Sequence, residues 1–238
     1  MVEFVGLPGV GKSHAARLAA ARLAAVGAPV SSSALRVNHE LGTFRRVLYK
    51  FGICAGEMLR RPASPFRIGH ALVRSRQESR FDVARLAYNW LFLVGLLRRA
   101  RARRAVELLD EGIVQQLWSI GFAGGDGVIR ECSTELLEAS ASAQPLPDIV
   151  VFVEAPLDLV ESRLEARRSR AGRLDRMEPA ERHAALVRGT RVFGEVLSAD
   201  GGLLDGPSAP HLRLVRNADA SELGADIDAL VNELALPA

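Results

Sequence analysis

The chain has 238 residues, 48% of them hydrophobic and 25% charged, with a formal net charge of +3 and a sequence pI of 9.3. That length and balance suit one α/β domain with room for an insertion, not a disordered or fibrous chain. The basic bias is mild: it fits anionic small molecules and gives no ground for nucleic acid as a partner.

The chain opens on Val2-Glu3-Phe4-Val5, a short apolar run expected as a strand, which leaves no room for a signal peptide and suggests a cytoplasmic protein. Gly6-Leu7-Pro8-Gly9-Val10-Gly11-Lys12-Ser13 follows and fits G-x-x-x-x-G-K-[ST] at every fixed position. Ser13 to Val26 has the composition of a helix, with Gly27 as its stop. A strand, a glycine-rich turn and a helix N-terminus point successive N–H groups at one spot, where the helix dipole adds positive charge. The segment is therefore expected to cradle a polyphosphate through Gly6, Pro8, Gly9, Val10, Gly11, Lys12, Ser13 and His14. Gly6, Gly9 and Gly11 allow close backbone approach, Lys12 reaches the β- and γ-phosphates, and the Ser13 hydroxyl suits Mg²⁺. Lysine occurs only at positions 12 and 50, in a chain that otherwise uses arginine for positive charge.

Ala28 to Leu35 is expected to hold the second strand. Residues 40 to 104 are mostly helical in pattern, with Leu41, Phe44, Val47, Leu48 and Phe51 at helical spacing. Arg61 to Pro65 breaks this block. A second helix is expected at about 66–79 and a third at about 82–104, ending in Arg98, Arg99, Arg101, Arg103 and Arg104, a cluster that reads as a solvated helix end. Its run Leu86 to Leu97 is too short to span a bilayer and reads as a buried helix, a peripheral membrane helix being the alternative. Cys54 and Cys132 match no metal or redox spacing and are expected as reduced thiols.

Ala105 to Gly112 reads as a strand ending in Asp110, an acid placed to hold Mg²⁺ beside the glycine-rich strand. A helix at Gly112–Ile120, a flexible loop at Gly121–Gly127 and a small helix at about 132–143 follow. Asp148 to Val153 is wholly apolar after its first residue and reads as a buried parallel strand. Pro156 opens a helix to about Arg168. Arg163, Arg167, Arg168, Arg170, Arg173 and Arg176 form an arginine-rich segment suited to neutralising charge on a transferring phosphoryl group, with Arg163, Arg167 and Arg173 the leading candidates. His211 to Val215 is the last strand and Ser221 to Leu236 the closing helix. Strands alternating with helices imply a parallel sheet of about five strands with helices on both faces, its ligand site beyond the strands' carboxyl ends.

In order along the chain, these features resemble the P-loop kinases of nucleosides and nucleotides, thymidylate kinase in particular. The resemblance rests on Phe4–Ser13, on Leu108-Leu109-Asp110, on Val153-Glu154-Ala155-Pro156 with Leu159 to Leu164, and on the segment Arg167 to Arg173. It implies a three-layer P-loop NTPase fold in one domain over 1–238, an acceptor-side helical block at about 40–104 and a lid at about 165–178. It further implies ATP and Mg²⁺ as cofactors and Asn217, in Val215-Arg216-Asn217-Ala218, beside the adenine ring. Related kinases pair through long helices, which makes Leu86–Leu97 the candidate homodimer surface.

Three departures bear on the acceptor. Glu111-Gly112 stands where thymidylate kinases follow their Asp with Arg, Ser31 to Leu35 stands where they carry Glu-Pro-Gly-Gly, and His14 stands where Thr is common. The ATP half is kept and the thymidylate-recognising half is not. Glu111 is open to three roles: a base or orienter of an acceptor hydroxyl, an activator of water, or a cap on the next helix. Gln115, Gln116, Arg74, Arg76 and Arg80 are candidates for the acceptor side. The expectation is an ATP-dependent phosphotransferase with a small-molecule acceptor (nucleotide, nucleoside, sugar or antibiotic-like), no nucleic-acid partner and no stable membrane insertion. The alternative is a P-loop ATPase or nucleotide-dependent module acting on a protein partner. The chain has neither Asn-Lys-x-Asp nor Leu-Ser-Gly-Gly-Gln, which argues against a GTPase and a transporter ATPase.

Overall fold

The computed structural model describes residues 1–39, 42–77, 79–103, 105–124, 127–141, 144–167, 172, 174–198, 203 and 209–235. Its centre is a five-stranded, all-parallel sheet flanked by helices. The strands are β1 (Val2–Val5), β2 (Val30–Ser31), β3 (Val106–Leu109), β4 (Ile149–Glu154) and β5 (His211–Arg216), in the order β2-β3-β1-β4-β5. β1 is central because Val2, Phe4 and Val5 are fully buried apolar residues, as a strand covered on both faces requires. The register pairs Glu3 with Leu109, Val5 with Phe152 and Glu154 with Arg216. It therefore brings Gly6, Asp110, Ala155 and Asn217 out at the same end of the sheet, where the strand order reverses around β1.

The helices are α1 (Lys12–Ala25), α2 (Ser33–His39), α3 (Thr43–Arg60), α4 (Ser64–Arg74), α5 (Arg80–Arg101), α6 (Ile113–Gly124), α7 (Val128–Ser140), α8 (Leu157–Glu165), α9 (Pro179–Val196) and α10 (Ala220–Ala235). α1 packs on α10; α6 packs on α7 and α9; α3 and α4 both pack on α5. The helical block expected at 40–104 is thus α3, α4 and α5.

Several boundaries differ from expectation. The second strand is two residues long, and α2 begins at Ser33, whose N–H donates to Glu107 Oε1 at 2.6 Å. α4 starts inside the expected break, because a proline at the first turn costs no helical hydrogen bond. α6 runs through the expected loop to Gly124. Gly121 and Gly124 serve close packing there rather than a turn: a side chain on Gly121 would collide with Ile129, and one on Gly124 with the Ser75 carbonyl. The actual turn is at Gly127, with φ of 76°. α9 was not expected at all, although Ala185, Leu186, Gly189, Val192, Phe193 and Val196 recur at helical spacing and are buried.

Leu86 to Leu97 is not a dimer surface. Leu86, Trp90 and every residue from Leu91 to Leu97 are buried, because α3, α4 and α6 pack around α5. Trp90 Nε1 donates to Ser140 Oγ at 2.8 Å, which ties α5 to α7. The arginines that follow are not simply solvated. Arg98 Nε and Nη2 each donate to Glu57 at 3.0 Å, Arg101 donates to Asp148 at 3.2 Å, and Arg103 donates to Ser33 Oγ at 2.8 Å. Arg104 lies outside the described residues. Cys54 and Cys132 are both buried free thiols. No helix among the described residues is long and apolar enough to cross a membrane.

Candidate functional site

The loop between β1 and α1 is built from backbone angles that few side chains allow. Gly6 and Gly11 have φ of 150° and 96°; a Cβ on Gly6 would strike the Val153 carbonyl, and one on Gly11 the Asn217 amide. α1 begins without a side-chain cap and without an acid in its first turn. Its positive end is therefore left for an anion. Lys12 Nζ lies across the loop and donates to the Gly6 and Leu7 carbonyls at 2.9 and 3.1 Å.

Four bonds brace this loop from behind. Asn217 Nδ2 donates to the Val10 carbonyl at 2.5 Å, and Arg163 Nη1 donates to the same carbonyl at 3.3 Å. Arg163 Nη2 donates to the Asn217 carbonyl at 3.1 Å. The Gly6 N–H donates to Gln115 Oε1 at 3.2 Å. Two expectations change as a result. Arg163 does not reach toward phosphate; α8 packs under the loop and its guanidinium is spent on Val10 and Asn217. Asn217 does not present free backbone groups to an adenine ring, since its N–H bonds the Glu154 carbonyl at 2.9 Å and its own carbonyl takes Arg163. Val10 is 2% exposed, so its side chain faces the core.

On the acid side, Asp110 leaves β3 almost fully buried, and Ser13 Oγ donates to its Oδ2 at 2.9 Å. Two residues 97 positions apart thus meet at the mouth of the loop. Both offer hard oxygen, the donor type Mg²⁺ prefers. Among the described residues no group of three or more His, Cys, Asp or Glu could hold a metal ion. A cation held here would take its other ligands from water and phosphate, which is how Mg²⁺ is usually bound.

The next residue, Glu111, is exposed and lines the cleft. The first N–H groups of α6 are met from the neighbouring strand. Glu3 is fully buried and accepts from the N–H groups of Gly112 (3.1 Å), Val114 (3.2 Å) and Gln115 (2.8 Å). Burial pushes the Glu3 carboxyl up to about 7, against the opposing pull of these backbone bonds. Sequence reading passed over Glu3 as part of an apolar run; the available signal was a lone acid inside a strand that must be buried. Burial also lowers Lys12 to about 8, while the Glu111 and Asp110 carboxylates oppose that shift and Arg167 adds to it.

The cleft over the loop has a volume of 840 Å³ and is lined by Pro8, Gly9, Gly11, Lys12, Ser13 and His14 on one side and by Asp110, Glu111 and Gln116 on the other. A side cavity of 290 Å³ opens on it, with Gln77, Arg85, Asn89, Trp118 and Phe122 in its wall. Arg167 lines both, and its Nη1 lies 3.9 Å from Asp175 Oδ1. Arg173, Arg168 and Arg170 fall outside the described residues, as do positions 169 and 171 of the expected lid. Of the acceptor candidates, Gln116 lines both cavities, whereas Gln115 spends its amide oxygen on Gly6. Arg74 turns to Glu135 at 3.7 Å, and Arg76 and Arg80 are exposed outside both linings. Arg85, which sequence reading did not single out, occupies the place expected of them. Another cavity of 670 Å³ lies at the amino ends of β4 and β5. Its Arg101 and Asp148 are already paired with each other, so it offers no comparable convergence of groups.

No protein-family model matches the chain, and no curated protein matches it.

Proposed function

We propose that the chain is an ATP- and Mg²⁺-dependent phosphotransferase of the P-loop kinase kind, moving the γ-phosphoryl group of ATP to a small-molecule acceptor. The observation that carries this reading is the 2.9 Å contact between Ser13 and Asp110 at the mouth of the glycine-rich loop. Loop N–H groups and the Lys12 ammonium bind the phosphates, exchanging the Gly6 and Leu7 carbonyls for phosphate oxygens. Ser13 and Asp110 are the residues that would hold Mg²⁺, which would supply positive charge to offset that of the phosphates. Glu111, in the cleft lining beside Asp110, takes or orients the acceptor's hydroxyl proton. Arg167, on the far wall, neutralises charge on the transferring group.

The acceptor is bound in the side cavity. Its amides (Gln77, Asn89, Gln116), two guanidinium groups (Arg85, and Arg167 shared with the main cleft) and the Trp118–Phe122 wall suit a planar, hydrogen-bonding molecule such as a nucleoside or nucleotide. The test is ADP release from ATP and Mg²⁺ against pools of nucleosides, nucleoside monophosphates, sugars and aminoglycoside-type alcohols. Release that requires one pool, and falls by about a hundredfold or more in Lys12→Ala, is the expected result. Release that no pool alters would replace this reading with that of an ATPase acting on a protein partner.

A further inference from the structure

α3 has two apolar sides, and only one of them is used by the fold. The inner side packs on α5: Ile53, Cys54 and Glu57 are buried, Glu57 takes Arg98, and Cys54 Sγ donates to the Tyr88 carbonyl at 3.5 Å. The outer side carries Phe44, Val47, Leu48, Phe51, Met58 and Leu59, which are 78, 55, 56, 67, 48 and 86% exposed. At 100° per residue the two sides centre about 130° apart. The outer stripe runs about 22 Å along the helix, at 1.5 Å per residue. Six large apolar side chains in one exposed stripe mark a surface that something covers.

Charge decides what covers it. From Thr43 to Arg61 the only acid is Glu57, and it is buried; Arg45 near one end of the helix and Arg60 and Arg61 at the other are exposed bases, whereas Lys50 turns inward over the Phe92 ring of α5. A second copy pairing α3 with α3 antiparallel would set Arg45 and Arg46 against Arg60 and Arg61, with no exposed acid on the helix to answer them. An anionic bilayer answers both features at once. Its headgroup boundary takes the Phe and Leu side chains, and its phosphates take the arginines. We propose that α3 docks this protein peripherally on an anionic phospholipid surface, lying flat in the interface with Phe44, Phe51 and Leu59 as its apolar anchors. The stripe is shorter than the roughly 30 Å core of a bilayer, so docking does not require insertion across it. This inference does not rest on the phosphotransferase reading.

The test is flotation of the full chain with vesicles of phosphatidylcholine alone and of phosphatidylcholine with an equal part of phosphatidylglycerol. Binding to the anionic vesicles only, weakening as salt is raised, is expected. Phe51→Ser with Leu59→Ser lowers the partition by about tenfold, and Arg45→Glu with Arg61→Glu lowers it by about the same factor. All four residues are exposed, so both double variants keep the wild-type melting temperature. Equal binding to both vesicle types, or binding to neither, overturns the proposal. So does a chain that sediments as a dimer, becomes a monomer in Phe51→Ser with Leu59→Ser, and ignores vesicles, which would give the stripe to a second copy.

Discussion

A single buried carboxylate organises the acid side of the cleft. Glu3 stands in the central strand, yet its contacts are the first N–H groups of α6, so it sets the direction in which the chain leaves Asp110 and Glu111. Its pKa rises from 4.5 to about 7 on folding, which makes its protonated form the one that folding favours. The associated stability is fully present below pH 4.5 and is lost as pH rises through 7, an effect of about 3 kcal/mol. Glu3→Gln removes this titration. Unfolding measured across that window should show the wild type losing about 3 kcal/mol relative to Glu3→Gln. Parallel pH profiles for the two proteins would contradict the role given to Glu3.

Between elements, α3 crosses α5 closely at Gly95. A Cβ on Gly95 would lie 2.5 Å from Ile53 Cγ2 and 2.8 Å from Glu57 Cγ. Two effects oppose each other in Gly95→Ala. Helix propensity favours alanine by about 1 kcal/mol, whereas overpacking a full core costs about 1–3 kcal/mol. Overpacking wins because Ile53 is buried and β-branched and cannot swing aside, and because Glu57 is held by Arg98. Gly95→Ala should therefore melt below the wild type, and a higher melting temperature would show that the crossing has slack. A lowered melting point through this contact would also loosen the outer stripe of α3, since the same helix carries both faces.

Over the whole molecule, the site draws on β1, β3, the start of α6 and the far wall at Arg167, so a bound ligand links segments distant in sequence. Such a ligand stabilises the folded chain by mass action. On the phosphotransferase reading proposed above, Mg²⁺ with ATP at a hundred times its dissociation constant should add about 2.7 kcal/mol, equivalent to about 5–10 °C in melting temperature for a chain of this size. Lys12→Ala should abolish that shift while leaving the unliganded melt close to wild type. A shift that persists in Lys12→Ala would place the nucleotide elsewhere.

The glycine-rich loop was legible before any fold was known, because its backbone angles admit few residues besides glycine and its neighbours must be a strand and a helix. Asp110 was legible for a related reason: an acid that ends a buried strand leaves a mark in an apolar run. The sheet's strands, apart from the length of β2, and the helical block followed from periodicity, which burial imposes along the chain. What the linear order could not contain were contacts made by reach. Arg163 and Asn217 look like ligand residues by position, and only packing shows that they face the back of the loop. Glu3, to which sequence reading gave no role, meets the first N–H groups of α6 because the β1–β3 register sets it under the start of that helix. The outer face of α3 and the buried face of Leu86–Leu97 are both apolar in sequence; the neighbours that cover one and leave the other bare exist only in the tertiary structure.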